Sequence, residues 1–485
     1  MTKKTMKHKS LCIAEWQSFG VEDICEVLRN CQSTKTNEDL KNQAQKIFNE
    51  LIEFAHAEGN HIFLKFAGKK LKAQNYVGLI QAKSGFCVEI LPKTFRTAKK
   101  NEGFKIQNCT CKKTQDTTKQ PQNMESNPPK CKVCEAKALL LKMLQSLKDS
   151  PFKQSHFAHL KLTKMPLLEI FILMFLQELE KLVKKGLKSD YIVCEENRNF
   201  LKGKLLFHQN LKLNFAHRER FFTSSDEFSV NIAPNRIIKS TLELLNTQNL
   251  STNTSAKLMQ MRFIFLDIPP SQSIDKDLSK CQNLGYFRNY KMILQWCEIF
   301  LKRKSFAPYQ KDSKAYALLF DMNKLFESFV ASEMKKWLCD MKLSYENKVF
   351  IEQIFRESKK DSYLKTQEKS KYLIVEGDKN RFLLNPDIVG YQKQTKETFF
   401  IADTKWKILS KEQQNYGVSQ SDMYQIFAYL AKYQCNQGFL IYPKIEDCND
   451  ELENLELVFK PQLFTKAIAE TNNIKPQVML CFFSL

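Results

Sequence analysis

An α/β multidomain chain is predicted: a mixed α+β amino-terminal portion, then a carboxy-terminal α/β unit on a central mixed sheet. The chain has 485 residues, more than one typical domain holds. Residues 77–80 and 86–91 are short apolar runs joined by AKSG, the pattern of a β-hairpin. After residue 311 the pattern runs helix, strands, helix, strand, an α/β order.

Residues 1–58 read as a helical amino-terminal extension, because Ile24, Val27 and Leu28, then Ala44, Ile47, Phe48, Leu51 and Ile52, recur at spacings of three and four. Residues 59–303 read as a mixed α+β domain. Within it, residues 97–134 are polar and poor in apolar side chains, the composition of an inserted loop. AKALLLKMLQSL and MPLLEIFILMFLQELEKLVKKG are helical by period, with Pro166 near the second helix's start and Gly186 as its C-cap. The apolar run Ile170–Leu176 sits between Glu169 and Glu178 and falls far short of the roughly 20 residues a bilayer requires, so a buried helix and no membrane association are expected. Residues 190–235 are β-like, NRIIKSTLELL is an amphipathic helix, and helices continue to about Arg303. SFAPYQKDSKAY reads as a linker. Residues 311–485 then open on the helix AYALLFDMNKLFESFVASEMKKWL. Strands follow near 348–355, 381–391 and 398–407, then the helix SDMYQIFAYLAKYQ and the strand GFLIYP.

Lys and Arg number 75 against 53 Asp and Glu, a formal charge of +22. That excess fits a polyanion such as nucleic acid, although codon bias toward lysine produces the same imbalance. MTKKTMKHKS is basic, but LCIAEWQSF after it is not the apolar core of a signal peptide. Fifteen cysteines, scattered over a long chain with no secretory address, suggest reduced thiols in a cytoplasm. Within the polar insertion, Cys109 and Cys111 form a CxC pair and Cys131 and Cys134 a CxxC pair. Four thiolates in two close pairs have the donor set of a structural Zn²⁺ site; a loop with incidental cysteines is the alternative.

In FFIADTKWK, residues 399–407, strand alternation puts Phe399, Ile401, Asp403 and Lys405 on one face. An ionic pair at the end of an apolar strand needs a partner. LLNPDIVGYQ supplies Asp387, and the polar turn QKQTKE lets the two segments pair as a hairpin, with Asp387 beside Asp403. Two carboxylates held together repel, and a divalent cation between them relieves the repulsion. Hard oxygen ligands with an open face suit Mg²⁺ chemistry on phosphodiesters. Lys405 can position or deprotonate a water, or stabilise charge on a phosphate.

Pro386-Asp387 followed by Asp403-Thr404-Lys405 resembles the PD-(D/E)xK nuclease signature. Gln425 and Tyr429, at i and i+4, are similar to the QxxxY element of a subgroup of those nucleases, and Glu327 matches their upstream acidic residue. The resemblance implies that Asp387 and Asp403 ligate Mg²⁺, that Glu327 completes the shell, that Lys405 assists the attacking water, and that Gln425 and Tyr429 orient or contact the substrate strand. Each residue also has an ordinary structural reading: a strand-end ion pair, a solvated helix face, helix packing.

Further fragments narrow the resemblance. VGLIQAKSGFCVEILPKT, FLKGKLLFHQNLKLN with its L-x-G-x-L, DEFSVNIAPNRIIKSTLELL with D-E…N-R-I-x-K, DMNKLFESFV and the stretch from NPDIVGY to FLIYP together resemble the McrC family. That family provides the nuclease subunit of McrBC-type restriction systems specific for 5-methylcytosine. The resemblance spans about residues 77–445. It implies a partner-docking domain over 59–303, a PD-(D/E)xK endonuclease domain over 311–485, and double-stranded DNA as substrate. It also implies a separate McrB-like AAA+ GTPase hexamer that binds GTP and whose hydrolysis this chain stimulates. Consistent with that division, the chain lacks G-x-x-x-x-G-K-[ST]. The docking surface is expected around 203–236, where His208, Asn210, Arg218, Arg220, Asn235 and Arg236 cluster. A non-catalytic adaptor that docks on the ring and grips DNA is the competing reading.

Overall fold

The computed structural model describes residues 10–31, 36–93, 131–147, 150–152, 165–282, 289–301, 316–339, 341, 345–355, 361–376, 379–444, 458–459 and 477–485. Most of the polar insertion, with Cys109 and Cys111, and most of the predicted linker lie outside the described residues.

The amino-terminal sheet has the strand order Ser10–Ala14, Cys87–Leu91, Tyr76–Gln81, Tyr316–Asp321. The first pair is parallel and the other two are antiparallel. Both faces are buried, so each strand reads as a near-continuous apolar run. Ile80, Ala317 and Leu319 point into a core made with the helices Val21–Cys31 and Asn37–His56. Val77, Leu79, Leu318 and Phe320 point the other way, into a larger core with the helices Lys132–Ser146 and Leu167–Lys184. Gly78 has φ +131°, and a Cβ there would lie 2.0 Å from the Leu318 carbonyl oxygen, so only glycine lets these strands approach.

Four expectations change here. Residues 10–58 are not a separate helical extension: SLCIA is an edge strand of this sheet, and the helices after it cover the sheet. Five residues are too few for their alternation to stand out. Tyr316–Asp321 is a strand and not the first turn of a helix, so the carboxy-terminal unit does not begin at 311; an unbroken apolar run such as AYALLF carries no period that separates the two. Asp321 is instead the N-cap of the helix Met322–Leu338, accepting from the Asn323 N–H at 2.9 Å. Residues 345–355 form a helix, where a strand over 348–355 is expected; Ile351, Ile354 and Phe355 bury one helical face. Finally, 381–391 splits into Lys379–Leu383 and Ile388–Gln392, strands of different sheets. The amphipathic helix over 235–245 is observed as Ala233–Asn246, and the 77–91 hairpin as drawn.

Asp190–Arg198, Phe221–Ser229 and Lys204–Leu205 form a separate three-stranded arm, continued by the helix Phe207–Asn214. Gly203, φ +74°, stands where a Cβ would meet the Ser224 carbonyl oxygen at 2.3 Å, which explains the glycine of L-x-G-x-L. Glu227 pins the arm by ion pairs with Arg198 at 2.6 Å and Lys202 at 2.7 Å. Little of the arm is covered: Tyr191, Phe207, Phe215 and Phe228 are each at least 68% exposed.

The carboxy-terminal sheet has the order Ser362–Thr366, Ile388–Gln392, Thr398–Thr404, Gln437–Pro443, Gln477–Phe483, Val458–Phe459 and mixes parallel with antiparallel pairs. Phe400 and Ala402 join the larger core, beside the helix Met322–Leu338. Ile401 joins a third core under the helix Gln420–Tyr433. Among the described residues, no helix is long and apolar enough to cross a membrane.

Candidate active site

Strands Ile388–Gln392 and Thr398–Thr404 pair antiparallel with Ile388 opposite Ala402. One step further on, Asp387 falls opposite Asp403, on the face shared by Val389 and Ile401. That face lies under the helix Gln420–Tyr433, which Ser419 caps by accepting from the Asp422 N–H at 3.3 Å. The hairpin and helix thus bring Asp387, Asp403, Lys405 and Gln425 to one place.

The contacts are specific. Asp387 Oδ2 accepts from the Thr404 N–H and the Thr404 hydroxyl, both at 2.7 Å. Lys405 Nζ lies 2.5 Å from Asp403 Oδ2, donates to Gln425 Oε1 at 2.8 Å and stands 3.7 Å from Asp422 Oδ1. Gln425 Nε2 donates to the Tyr429 hydroxyl at 2.8 Å, and that hydroxyl donates to the Asn385 carbonyl at 3.1 Å. Gln425 and Tyr429 therefore form a chain from Lys405 to the backbone just before Asp387; both ends of the glutamine amide are engaged within the protein. Glu327 Oε2 accepts from Gln367 Nε2 at 3.2 Å, and the Gln367 N–H donates to the Asp387 carbonyl at 2.9 Å.

Electrostatics separates these groups. Burial, then the Asp387 charge, pushes the Asp403 carboxyl up to about 7, against the pull of Lys405. Burial, then the Glu327 charge, pushes Asp387 up to about 6, against its two bonds from Thr404. Burial opposes the Lys405 charge, but the carboxylates of Asp403, Asp422 and Asp387 more than offset it and leave the ammonium above its ordinary value. Two buried carboxylates that repel, with a fixed cation on one side, are a frustrated pair that a hard divalent cation would relieve.

The sequence reading missed Asp422 and Lys407. Lys407 Nζ donates to Asp422 Oδ2 at 2.5 Å and to Ser419 Oγ at 3.0 Å. Lys407 continues the Asp403, Lys405 alternation, and Asp422 stands one turn before Gln425, so both were accessible as pattern. Glu327 reaches Asp387 electrostatically, yet among the described residues no group of three or more His, Cys, Asp or Glu is assembled to hold a metal. The donor chemistry fits a divalent cation on Asp387 and Asp403, with the Glu327 charge felt at Asp387. Cys131 and Cys134 sit at the start of the helix Lys132–Ser146, both half-buried. The expected insertion therefore ends at about 131, with its second cysteine pair anchored on a helix.

The expected docking residues divide. Asn235 is buried and donates to the Lys188 and Val230 carbonyls at 3.1 and 2.8 Å. Arg236 pairs with Asp277 at 3.2 Å, and Lys239 Nζ donates to the Phe265 carbonyl at 2.9 Å. Asn210 Oδ1 accepts from the Phe222 N–H at 2.8 Å. The N-R-I-x-K run thus ties a turn and helix into the body; His208, Arg218 and Arg220 are the exposed members of the group.

The structure defines a class: a basic, multidomain α/β protein with a buried two-carboxylate and lysine cluster at the ends of two interior strands of a mixed sheet. The sequence model of the McrBC 5-methylcytosine restriction system component family matches residues 71–443. The chain belongs to that family. A chain of the refined half-complex from the tetradecameric assembly of Thermococcus gammatolerans McrB AAA+ hexamers with bound McrC is similar in fold. Its TM-score is 0.55 at 15% identity, covering 98% of this chain and 95% of that one. A chain of the cryo-EM structure of the Thermococcus gammatolerans McrBC complex gives a TM-score of 0.42 at 18% identity over 72% of this chain and 98% of that one. None of the curated proteins matches significantly.

Proposed function

We propose that this chain is the nuclease subunit of a modification-dependent restriction system, a PD-(D/E)xK endodeoxyribonuclease working with a separate GTP-hydrolysing AAA+ partner whose hydrolysis it stimulates. The observation that carries the reading is the meeting of Asp387, Asp403 and Lys405 under the helix Gln420–Tyr433. Asp387 and Asp403 would hold Mg²⁺, which when bound supplies Lewis-acid activation of the phosphodiester and of water. Lys405 is held as an ammonium. It therefore suits orienting a water and stabilising charge that develops on the phosphate, in preference to removing a proton. Gln425 and Tyr429 fix that ammonium. The exposed arm around Tyr191, Phe207, Phe215 and Phe228 is the docking surface for the partner, since four large aromatics left uncovered on one small arm mark an interaction site. Zinc on Cys109, Cys111, Cys131 and Cys134 would staple the insertion to the helix Lys132–Ser146.

The test is Asp387→Asn, co-purified with its AAA+ partner and assayed with GTP and Mg²⁺ on methylated and unmethylated DNA. Loss of cleavage with partner binding and GTP hydrolysis intact is expected; unchanged cleavage overturns the assignment. The ion pair between Lys405 and Asp403, in which one carboxylate is already neutralised within the protein, favours one alternative, an adaptor that docks on the ring and grips DNA without cutting it. In that case no metal-dependent cleavage would be found in the unaltered protein.

A further inference from the structure

A buried polar clamp joins the amino-terminal sheet to the residue after Lys405. Trp406 is 2% exposed, Glu15 0% and Lys93 8%. The Trp406 indole N–H donates to Glu15 Oε2 at 2.9 Å and lies 3.3 Å from Oε1. Lys93 Nζ donates to the Trp406 carbonyl at 2.7 Å and stands 5.6 Å from the centre of its ring. Glu15 Oε2 also accepts from the Lys93 N–H at 3.0 Å, and the Glu15 N–H donates to the Leu91 carbonyl at 3.0 Å. Side chain and backbone of one residue are thus gripped together, by the ends of the strands Ser10–Ala14 and Cys87–Leu91. Phe326, on the helix that carries Glu327, packs against the indole with ring centres 5.3 Å apart. A carboxylate and an ammonium this deeply buried are expensive to keep unless the geometry they enforce is needed, and breaking such a set strands a charge.

The strand Thr398–Thr404 ends just before the site lysine. Beyond it Lys405 has one backbone tie to the sheet, its N–H to the Ile441 carbonyl at 2.8 Å. The next fixed point along the chain is Trp406. We propose that Glu15 and Lys93 are positioning residues for Lys405: through Trp406 they set the direction in which its ammonium leaves the sheet, so the amino-terminal sheet is part of the cleavage machinery. This rests on the nuclease reading for its purpose, and on the clamp geometry alone for its mechanics. It also gives the amino-terminal half a physical route to the site, because any shift of Ser10–Ala14 or Cys87–Leu91 moves Trp406.

Two readouts separate the mechanics from the nuclease reading. Full-length Trp406→Phe keeps an aromatic ring, though a smaller one, and removes the indole donor; Glu15→Ala removes the acceptor; Glu15→Gln keeps an acceptor oxygen. The first readout is the rate of reductive methylation of Lys405, followed by peptide mass spectrometry, with the remote buried Lys239 as reference. Trp406→Phe and Glu15→Ala should raise Lys405 labelling by about fivefold or more with Lys239 unchanged, and Glu15→Gln should restore protection. The second readout is cleavage with the AAA+ partner. kcat should fall about 10- to 100-fold at unchanged KM, the range for a reacting group displaced by about 1 Å. Should Lys405 labelling in Trp406→Phe match the unaltered protein, the clamp is only a packing tie and the proposal falls. Should labelling rise while the unaltered protein cuts no DNA, the positioning stands and the nuclease reading falls.

Discussion

Asp403→Asn should stabilise the metal-free protein, and only above acid pH. Asp403 is 1% exposed, and its carboxyl is pushed from the ordinary 3.8 up to about 7, by burial and then by the Asp387 charge. The folded state therefore holds a proton that the unfolded chain releases between about pH 4 and 7. Stability falls as pH rises through that window and levels off above it. At about 1.36 kcal/mol per tenfold change in proton affinity, the whole step corresponds to about 4 kcal/mol. The repulsion belongs jointly to Asp387 and Asp403, so about half is assigned to one substitution, ~2 kcal/mol at pH 8, or a Tm rise of about 2–4 °C in a chain of this size. The assay is calorimetry or dye-monitored melting in EDTA at pH 4.5, 6 and 8, with the two proteins alike at pH 4.5 and the gap opening upward. In 10 mM Mg²⁺ the ranking should reverse, because the cation binds only the unaltered protein and stabilises it by mass action. A variant less stable than its parent at pH 8 in EDTA would refute the reasoning, since Asp403 would then be an ordinary ion-pair partner of Lys405.

Lys405→Ala should lower kcat at least 100-fold with little change in DNA affinity, because the ammonium acts on developing charge; single-turnover cleavage and filter binding measure the two separately. Gln425→Ala should cost about tenfold in kcat, less than Lys405→Ala, since Asp403 still holds the lysine. Serine at both Tyr191 and Phe228 should abolish co-purification with the AAA+ partner while leaving Tm within about 1 °C, because both side chains are exposed in the free chain. Gly78→Ala should lower soluble yield and destabilise by several kcal/mol, since a methyl group 2.0 Å from the Leu318 oxygen forces the edge strand Tyr316–Asp321 away from its neighbour; a Tm within 2 °C of the parent would contradict that.

The site was more legible than the domains. Strand alternation and a polar turn placed Asp387, Asp403 and Lys405 together, since period-two geometry is local and a hairpin enforces its own register. A helix spacing of four supplied Gln425 and Tyr429, and their hydrogen bond follows from it. What failed was non-local. Nothing in SLCIA or AYALLF announces that the two lie in one sheet, about 300 residues apart in the chain; only tertiary pairing decides that. The same holds for Glu15 and Lys93, ordinary charged residues until the fold buries them against Trp406. The motifs around 203–236 point to a docking surface, but Asn235 and Arg236 are internal ties, and the exposed aromatics Tyr191 and Phe228 carry no sequence signal because a strand largely exposed on both faces has no buried pattern to read.

The most direct measurement is a Mn²⁺ anomalous difference map from crystals of the purified chain grown near pH 8. One peak in contact with the carboxylates of both Asp387 and Asp403, absent in Asp387→Asn, is the expected result. Density for two ordered, well-defined carboxylates with no peak at saturating Mn²⁺ would contradict a metal-dependent nuclease and leave a DNA-gripping adaptor in its place.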